Sequence, residues 1–231
     1  MIMRTSSLTR LAALFIAVPT LAAAQANKTT KRAAPTKLAA ECTWKPTDAW
    51  VKRQAEFFDE SKHDWTNDSL RTLLLTAAGL TPPLKAPVNL GVWIEGREKP
   101  LGPGADSAIA LLKQLSRQRG SPWPTRSVAG GAGAHALFLI AQHDSVLLGT
   151  IHRFMEAGPV ESPAVDVAVW EDRLRVLAGR KQIYGTQFRV DDRGKVVLAP
   201  MEDSAHADLR REGAALPPFK LGLCLAGVWK S

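Results

Sequence analysis

The stretch VAGGAGAHALFLIAQHD, Val128 to Asp144, decides how this chain is built. It reads as a helix that is apolar on every side. A helix without a polar face belongs at the centre of a fold, where neighbours cover all of it. Gly130, Gly131 and Gly133 let those neighbours approach its first turns closely. At its far end stand Gln142, His143 and Asp144, so a buried helix delivers three polar residues to the edge of the core. Before it, SPWPTRS (121–127) is a stiff turn in which Pro122 and Pro124 bracket Trp123, a plug for the core, and Ser127 is placed to cap the helix.

Working outward, amphipathic helices surround this one. TDAWVKRQAEFFDES (47–61) starts on a capping Thr47 and carries Trp50, Ala55, Phe57 and Phe58 on its apolar side. NDSLRTLLLTAAGL (67–80) turns Leu70, Leu73, Leu74 and Ala77 inward and stops at Gly79. VNLGVWIEG (88–96) reads as a strand. In GPGADSAIALLKQLSRQRG (102–120), Asp106 is expected to cap, Ile109, Leu112 and Leu115 face in, and Gly120 ends the helix. SVLLGTIHRFMEAG (145–158) is a further helix, bounded by Gly158-Pro159. In SPAVDVAVWEDRLRVLAGR (162–180), Ser162 is the expected cap and Pro163 suits the first turn. Val167, Trp170, Leu174 and Leu177 make one stripe, Val165, Val169 and Val176 another. Asp172 falls among the valines, where a carboxylate must find donors or shift its pKa.

KQIYGTQFRVDDRGKVVLAP (181–200) reads as a β-hairpin with its turn at Asp191-Asp192-Arg193-Gly194. In its first strand Tyr184, Thr186 and Phe188 are expected on one face, Gly185 and Gln187 on the other. The Tyr184 ring should enter the core and its hydroxyl find Gln142, His143 or Asp172. EDSAHADLRREGAAL (202–216) closes as a helix capped by Asp203-Ser204. The fold class is α+β, a mostly helical single domain with a central apolar helix and a C-terminal β-hairpin.

The N-terminal end is of a different kind. Arg4 and Arg10 precede the 14-residue apolar run LAALFIAVPTLAAA, whose end, Ala22-Ala23-Ala24, suits cleavage. Residues 1–24 therefore read as a secretory signal peptide, too short for a comfortable span. Residues 25–40 read as a disordered basic linker, and residues 41–231 as the globular domain. The formal charge is +8; Arg4 and Arg10 take two of it and Lys28, Lys31, Arg32 and Lys37 four more, which leaves +2 from Leu38 onward. A basic footprint for nucleic acid would have to sit on the folded part, so no nucleic-acid partner is expected. No transmembrane segment is expected after signal removal, and the expected location is periplasmic or secreted. Cys42 and Cys224 either pair after export, closing a loop worth about 5 kcal/mol by chain entropy, or remain two buried thiols.

Five blocks carry a resemblance. Trp123-Pro124-Thr125, Gln142-His143, Asp172-Arg173, Tyr184-Gly185-Thr186-Gln187, and Glu202-Asp203 with Arg210-Arg211 follow one another in the order seen in the bacterial family catalogued as domain of unknown function 6624. The matching part runs from about Asp106 to Phe219. The sequence departs from the family pattern after Gln-His: Asp144 follows His143 directly, and Ile151-His152 stand near the place of a glutamine. The resemblance supports the boundaries and nominates residues, and it implies no reaction.

No Gly-x-Ser-x-Gly elbow, phosphate loop or His-Glu-x-x-His motif is present, and no cofactor is implied. A metal held by His135 and His143 fails on distance, since eight helical residues span roughly 12 Å. What remains is a constellation from separate elements. His143 can serve as general base, oriented by Asp172; Tyr184, Gln187 and Gln142 can donate hydrogen bonds; Arg173 or Arg211 can hold an anionic group. The same residues also suit a structural polar network, with Asp172-Arg173 as an internal ion pair. Two functions stay open: an exported protein whose cluster organises the fold or binds a small polar ligand, and a hydrolase using His143 as base with Tyr184 and Gln187 as donors.

Overall fold

The computed structural model describes residues 42, 44–61, 63–84, 89–118, 123–155 and 162–228. The expected signal peptide and linker, Gly120, Pro122 and the Gly158-Pro159 boundary lie outside them. Eight helices and a three-stranded sheet make up the described part: α1 (Asp48–Phe57), α2 (Asp68–Ala78), β1 (Trp93–Ile94), α3 (Ala105–Leu115), α4 (Arg126–Ala141), α5 (Ser145–Met155), α6 (Ala164–Leu177), β2 (Gln187–Val190), β3 (Val196–Leu198), α7 (Ala207–Gly213) and α8 (Phe219–Leu225). The mostly helical α+β class is what the apolar periodicities require.

α4 is the central helix. From Ala129 to Ala141 only Leu139 is less than fully buried. Leu70, Leu74 and Ala77 of α2, Leu112 of α3, Leu148 and Ile151 of α5, and Val169 and Trp170 of α6 pack with it into one core. The small residues at its start have the expected consequence. A Cβ on Gly131 would stand 2.0 Å from the Phe57 carbonyl oxygen, so the C-terminus of α1 presses directly on the backbone of α4. At Gly130 the backbone leaves helical geometry (φ 72°, ψ 167°), and the chain bends there beside Trp65 and Arg71. Trp123 is buried in the same core, as a plug.

Local capping is partly as expected. The Thr47 hydroxyl accepts the Trp50 N–H at 3.2 Å, and Gly79 ends α2 in the left-handed region. Four caps differ. α3 starts after Gly104, with Asp106 already in its first turn. α4 starts after Thr125 rather than Ser127, α6 after Pro163 rather than Ser162, and α7 after His206 rather than Asp203-Ser204. In each case backbone geometry set by packing fixes the first turn, and a nearby Ser or Asp does not override it. Leu177, expected on the inner stripe of α6, is 48% exposed because α6 ends there, with Gly179 in the left-handed region just beyond.

The hairpin forms with Phe188 opposite Leu198 and Val190 opposite Val196. β1 adds to its other edge in parallel, Trp93 beside Gln187 and Ile94 beside Phe188. The first hairpin strand is shorter than expected. It begins only at Gln187, and both Gln187 and Phe188 are buried. Tyr184, Gly185 and Thr186 belong to a loop whose form is set by α6 and α7. The C-terminal segment, expected only as a closing stretch, forms α8, and Cys224 within it is disulfide-bonded to Cys42 with Cα atoms 5.8 Å apart. That bond and the Trp50 indole, which donates to the Ala215 carbonyl at 2.6 Å, tie the start of the domain to its end.

Candidate functional site

The loop Ile183–Thr186 is held from both sides. Asp172 projects from the buried valine side of α6, fully enclosed. Its Oδ1 accepts the N–H groups of Ile183 (2.7 Å) and Tyr184 (3.0 Å), and its Oδ2 accepts the Thr186 N–H (3.0 Å) and hydroxyl (2.9 Å). The carbonyls of the same loop face α7. Arg210 Nε donates to the Ile183 carbonyl at 2.8 Å, and Arg211 Nη1 donates to the Tyr184 carbonyl at 2.8 Å. Arg211 Nε donates to the Pro217 carbonyl at 2.6 Å. One carboxylate takes three of the loop N–H groups, two guanidiniums take two of its carbonyls, and the Thr186 carbonyl accepts the Trp93 N–H of β1 at 2.8 Å, so this irregular backbone is satisfied mainly by side chains. Gly185 permits the arrangement twice over: its φ is 72°, and a Cβ there would meet the Phe219 ring at 2.4 Å.

Glutamines extend the network. Gln182 Nε2 donates to the carbonyls of Gln187 (3.0 Å) and Ala199 (2.8 Å), and its Oε1 accepts the Gln187 N–H at 2.9 Å. Gln187 Nε2 donates to the Val169 carbonyl (3.1 Å) and to Thr186 Oγ1 (3.0 Å). Burial raises the Asp172 carboxyl above the usual carboxylate range, against the opposing pull of its donors. Burial likewise pushes Arg211 down to about 10, opposed by Asp172 and Asp208, so it stays a cation at neutral pH. The Tyr184 phenol is raised by burial and then by the Asp172 charge.

A second cluster gathers round Trp93. The His143 ring stands edge-on to the indole, centroids 6.5 Å apart, and is exposed to solvent. The Arg173 guanidinium lies over it at 5.8 Å, with Glu95 3.8 Å from Nη1. Gln187 is its strand neighbour. Among the described residues the Gln187 carbonyl oxygen Oε1, Arg173 Nε and the Trp93 indole N–H are buried without a hydrogen-bond partner, as are both amide atoms of Gln142, the residue before His143 in the chain. Such groups normally find partners, because leaving one bare costs about 1–3 kcal/mol.

The sequence candidates thus divide. Asp172, Gln187, Arg211 and the backbone of Tyr184 meet in one network, while His143 and Arg173 stand with Trp93 and Gln142 is buried at the end of α4, next to His143 in the chain. The expected Asp172-Arg173 ion pair is replaced: Asp172 binds the loop N–H groups and Arg173 faces Trp93 and Glu95. Tyr184 turns its half-buried ring onto Val165, Ala168 and Leu216, and Asp172 takes its N–H rather than its phenol. Arg211 spends Nε and Nη1 on carbonyls. Three participants are not among the site candidates that the sequence nominates. Arg210 and Gln182 are ordinary in composition and gain their roles only through the loop they hold. His135, weighed only as a metal ligand, forms a buried pair with Asp166, its Nδ1 2.7 Å from Oδ2. The lone imidazole on an apolar helix was the available signal. Among the described residues no group of His, Cys, Asp or Glu side chains could hold a metal ion.

No curated protein and no solved structure matches the chain. Residues 103–226, more than half of it, match a family of unknown function, DUF6624, and the match spans α4, α6, the hairpin and the arginine pair of α7. The chain belongs to that family.

Proposed function

We propose that this is an exported protein that binds a small polar ligand beside Trp93, with the Asp172–Arg211 network as the frame of the site. The observation that carries this reading is the Gln142 amide, 6% exposed and, among the described residues, bonded at neither end. Gln142 offers a donor and an acceptor, Arg173 a cation, His143 a titratable ring and Trp93 a face for stacking. That set suits a compact molecule carrying an anionic group. The hydrolase reading, with His143 as base, is less well supported, because the Gln187 amide nitrogen it needs as a donor already serves Val169 and Thr186. Export rests on the basic-apolar-small pattern of residues 1–24 and fits the Cys42–Cys224 disulfide. It also fits the absence, among the described residues, of a helix long and apolar enough to cross a membrane.

The test is a calorimetric and NMR screen of the oxidised chain against amino acids, short peptides and amino sugars. A true ligand shifts the Trp93 indole N–H and the Gln142 side-chain amide. Gln142→Leu should abolish binding while raising the stability of the free chain by about 1 kcal/mol, because an unsatisfied amide is exchanged for a methyl-bearing side chain. A strong fall in stability for Gln142→Leu, with no ligand found, would refute the site. For export, a C-terminally tagged chain expressed in a bacterial host should appear in the periplasm or medium without residues 1–24.

A further inference from the structure

His135 sits on the buried centre of α4, and its surroundings are more than packing. Its Nδ1 is 2.7 Å from Asp166 Oδ2, and the other carboxylate oxygen accepts Asn89 Nδ2 at 2.7 Å. Asp166 is fully enclosed and His135 is 3% exposed. The tautomer that donates its Nδ1–H to Asp166 Oδ2 carries its lone pair at Nε2. Among the described residues Nε2 has no hydrogen-bond partner. Rings close the sides, Phe138 stacked at 5.8 Å and Phe58 edge-on at 5.9 Å.

His135 also lines a cavity of about 550 Å³, within the range of small-molecule sites. Its walls are mainly apolar, with Trp93, Phe138 and Val169 among them, and its exposed part carries Arg97 and Lys99. Glu98 also lines it, with its carboxylate accepting the Gly96 N–H at 3.0 Å. Lys99 reaches the Gly79 carbonyl at 3.3 Å, while Arg97 makes no ion pair among the described residues. An inner acceptor, an apolar middle and an outer pair of cations are arranged in one space.

We propose that this cavity binds a small hydroxy-carboxylic acid with an apolar body. The ligand hydroxyl donates to His135 Nε2, its body lies against Trp93, Phe138 and Val169, and its carboxylate meets Arg97 and Lys99. Asp166 and Asn89 are positioning residues that fix the tautomer and the ring plane. The proposal stands on residues other than Gln142, Arg173 and Gln187 and shares only Trp93 with the site proposed above, so each can fail alone.

The experiment titrates the full oxidised chain, with ¹⁵N-labelled histidine, with 3-(4-hydroxyphenyl)propionate. The comparison ligands are 3-(4-methylphenyl)propionate, which lacks the hydroxyl, and 4-ethylphenol, which lacks the carboxylate. The expected result is a shift of the His135 Nε2 resonance and binding of the hydroxy acid at least tenfold tighter than of either comparison ligand. Arg97→Gln, an exposed change that leaves the core alone, should weaken the hydroxy acid at least fivefold and leave 4-ethylphenol unchanged. An unmoved His135 resonance at millimolar ligand overturns the proposal, as does equal affinity for the methylated isostere or an Arg97→Gln variant that binds as wild type does.

Discussion

Asp172 and Arg211 hold the same peptide unit pair from opposite sides: the Tyr184 N–H donates to the Asp172 carboxylate at 3.0 Å, and the Tyr184 carbonyl accepts from Arg211 Nη1 at 2.8 Å. The two charges lie on helices α6 and α7, thirty-nine residues apart in the chain, and meet through a loop rather than directly. This arrangement makes the Asp-Arg and Tyr-Gly-Thr-Gln blocks parts of one device. It also explains how a buried carboxylate is tolerated: every donor it needs comes from a single loop.

Asp172→Asn should therefore destabilise the chain by about 3 kcal/mol, since an amide presents two hydrogens to backbone donors that need an acceptor. Chemical denaturation measures the loss. Hydrogen exchange should localise it, with protection falling first at the amides of Ile183, Tyr184 and Thr186. Unchanged protection there would contradict the described network.

Gly131→Ala and Gly149→Ala make a matched pair within helices. At Gly131 the new Cβ would collide with the Phe57 carbonyl, and a loss of at least ~2 kcal/mol is expected. At Gly149 the nearest atom is Leu174 Cδ2 at 3.9 Å, an ordinary contact. There the better helix former should gain ~0.5–1 kcal/mol. Thermal melts of the two variants should move in opposite directions.

Asp144 accepts the Leu147 N–H at 2.9 Å and pairs with Lys113 of α3. Burial raises its pKa, but Lys113 and the Leu147 N–H outweigh burial and set it below the ordinary 3.8. A carboxyl depressed in the folded state stabilises fully above its unfolded pKa, and that contribution fades as pH falls through the lower folded value. Asp144→Asn should cost about 1 kcal/mol at pH 6, and the gap between variant and wild type should close on acidification towards pH 2.5. A gap constant with pH would show that the charge contributes nothing.

Reduction of Cys42–Cys224 frees a loop of 182 residues in sequence separation. The unfolded chain then regains entropy worth at most about 5 kcal/mol. Cys42→Ser, Cys224→Ser and the double variant should melt together, at the temperature of the reduced wild type. Additive losses in the double variant would mean that the thiols act separately.

His143→Ala removes an exposed ring, so stability should change by less than ~0.5 kcal/mol. A large fall in melting temperature would place His143 in the frame of the fold rather than at the edge of the ligand site.

Most of the fold is legible along the chain. Apolar spacing marks α1, α2, α3, α5 and α6, an apolar stretch with no polar face marks α4 as central, and an Asp-Asp-Arg-Gly turn marks the hairpin. These signals are local, because helix period, glycine at positive φ and strand alternation follow from neighbouring residues. The polar residues of interest were legible as a set: Gln142, His143, Asp172, Arg173, Gln187 and Arg211 all reach the core or its edge. How they partner was not. The caps of α3, α4, α6 and α7 moved by one to three positions because packing, rather than side-chain capping, fixed the first turns. Tyr184 and Thr186 left the strand because Asp172, fully buried, required backbone donors, and the loop could give them only by leaving strand geometry. The pairing of His135 with Asp166, thirty-one residues away, and the parallel addition of β1 to the hairpin join segments far apart in the chain, which only packing brings together. Sequence alone determined most of the helical segments (α8 excepted), which helix was central and which turn made the hairpin, since these follow from short-range periodicity. The tertiary structure decided which charge meets which donor, since buried polar groups are satisfied by whatever the packing of distant segments brings within about 3 Å.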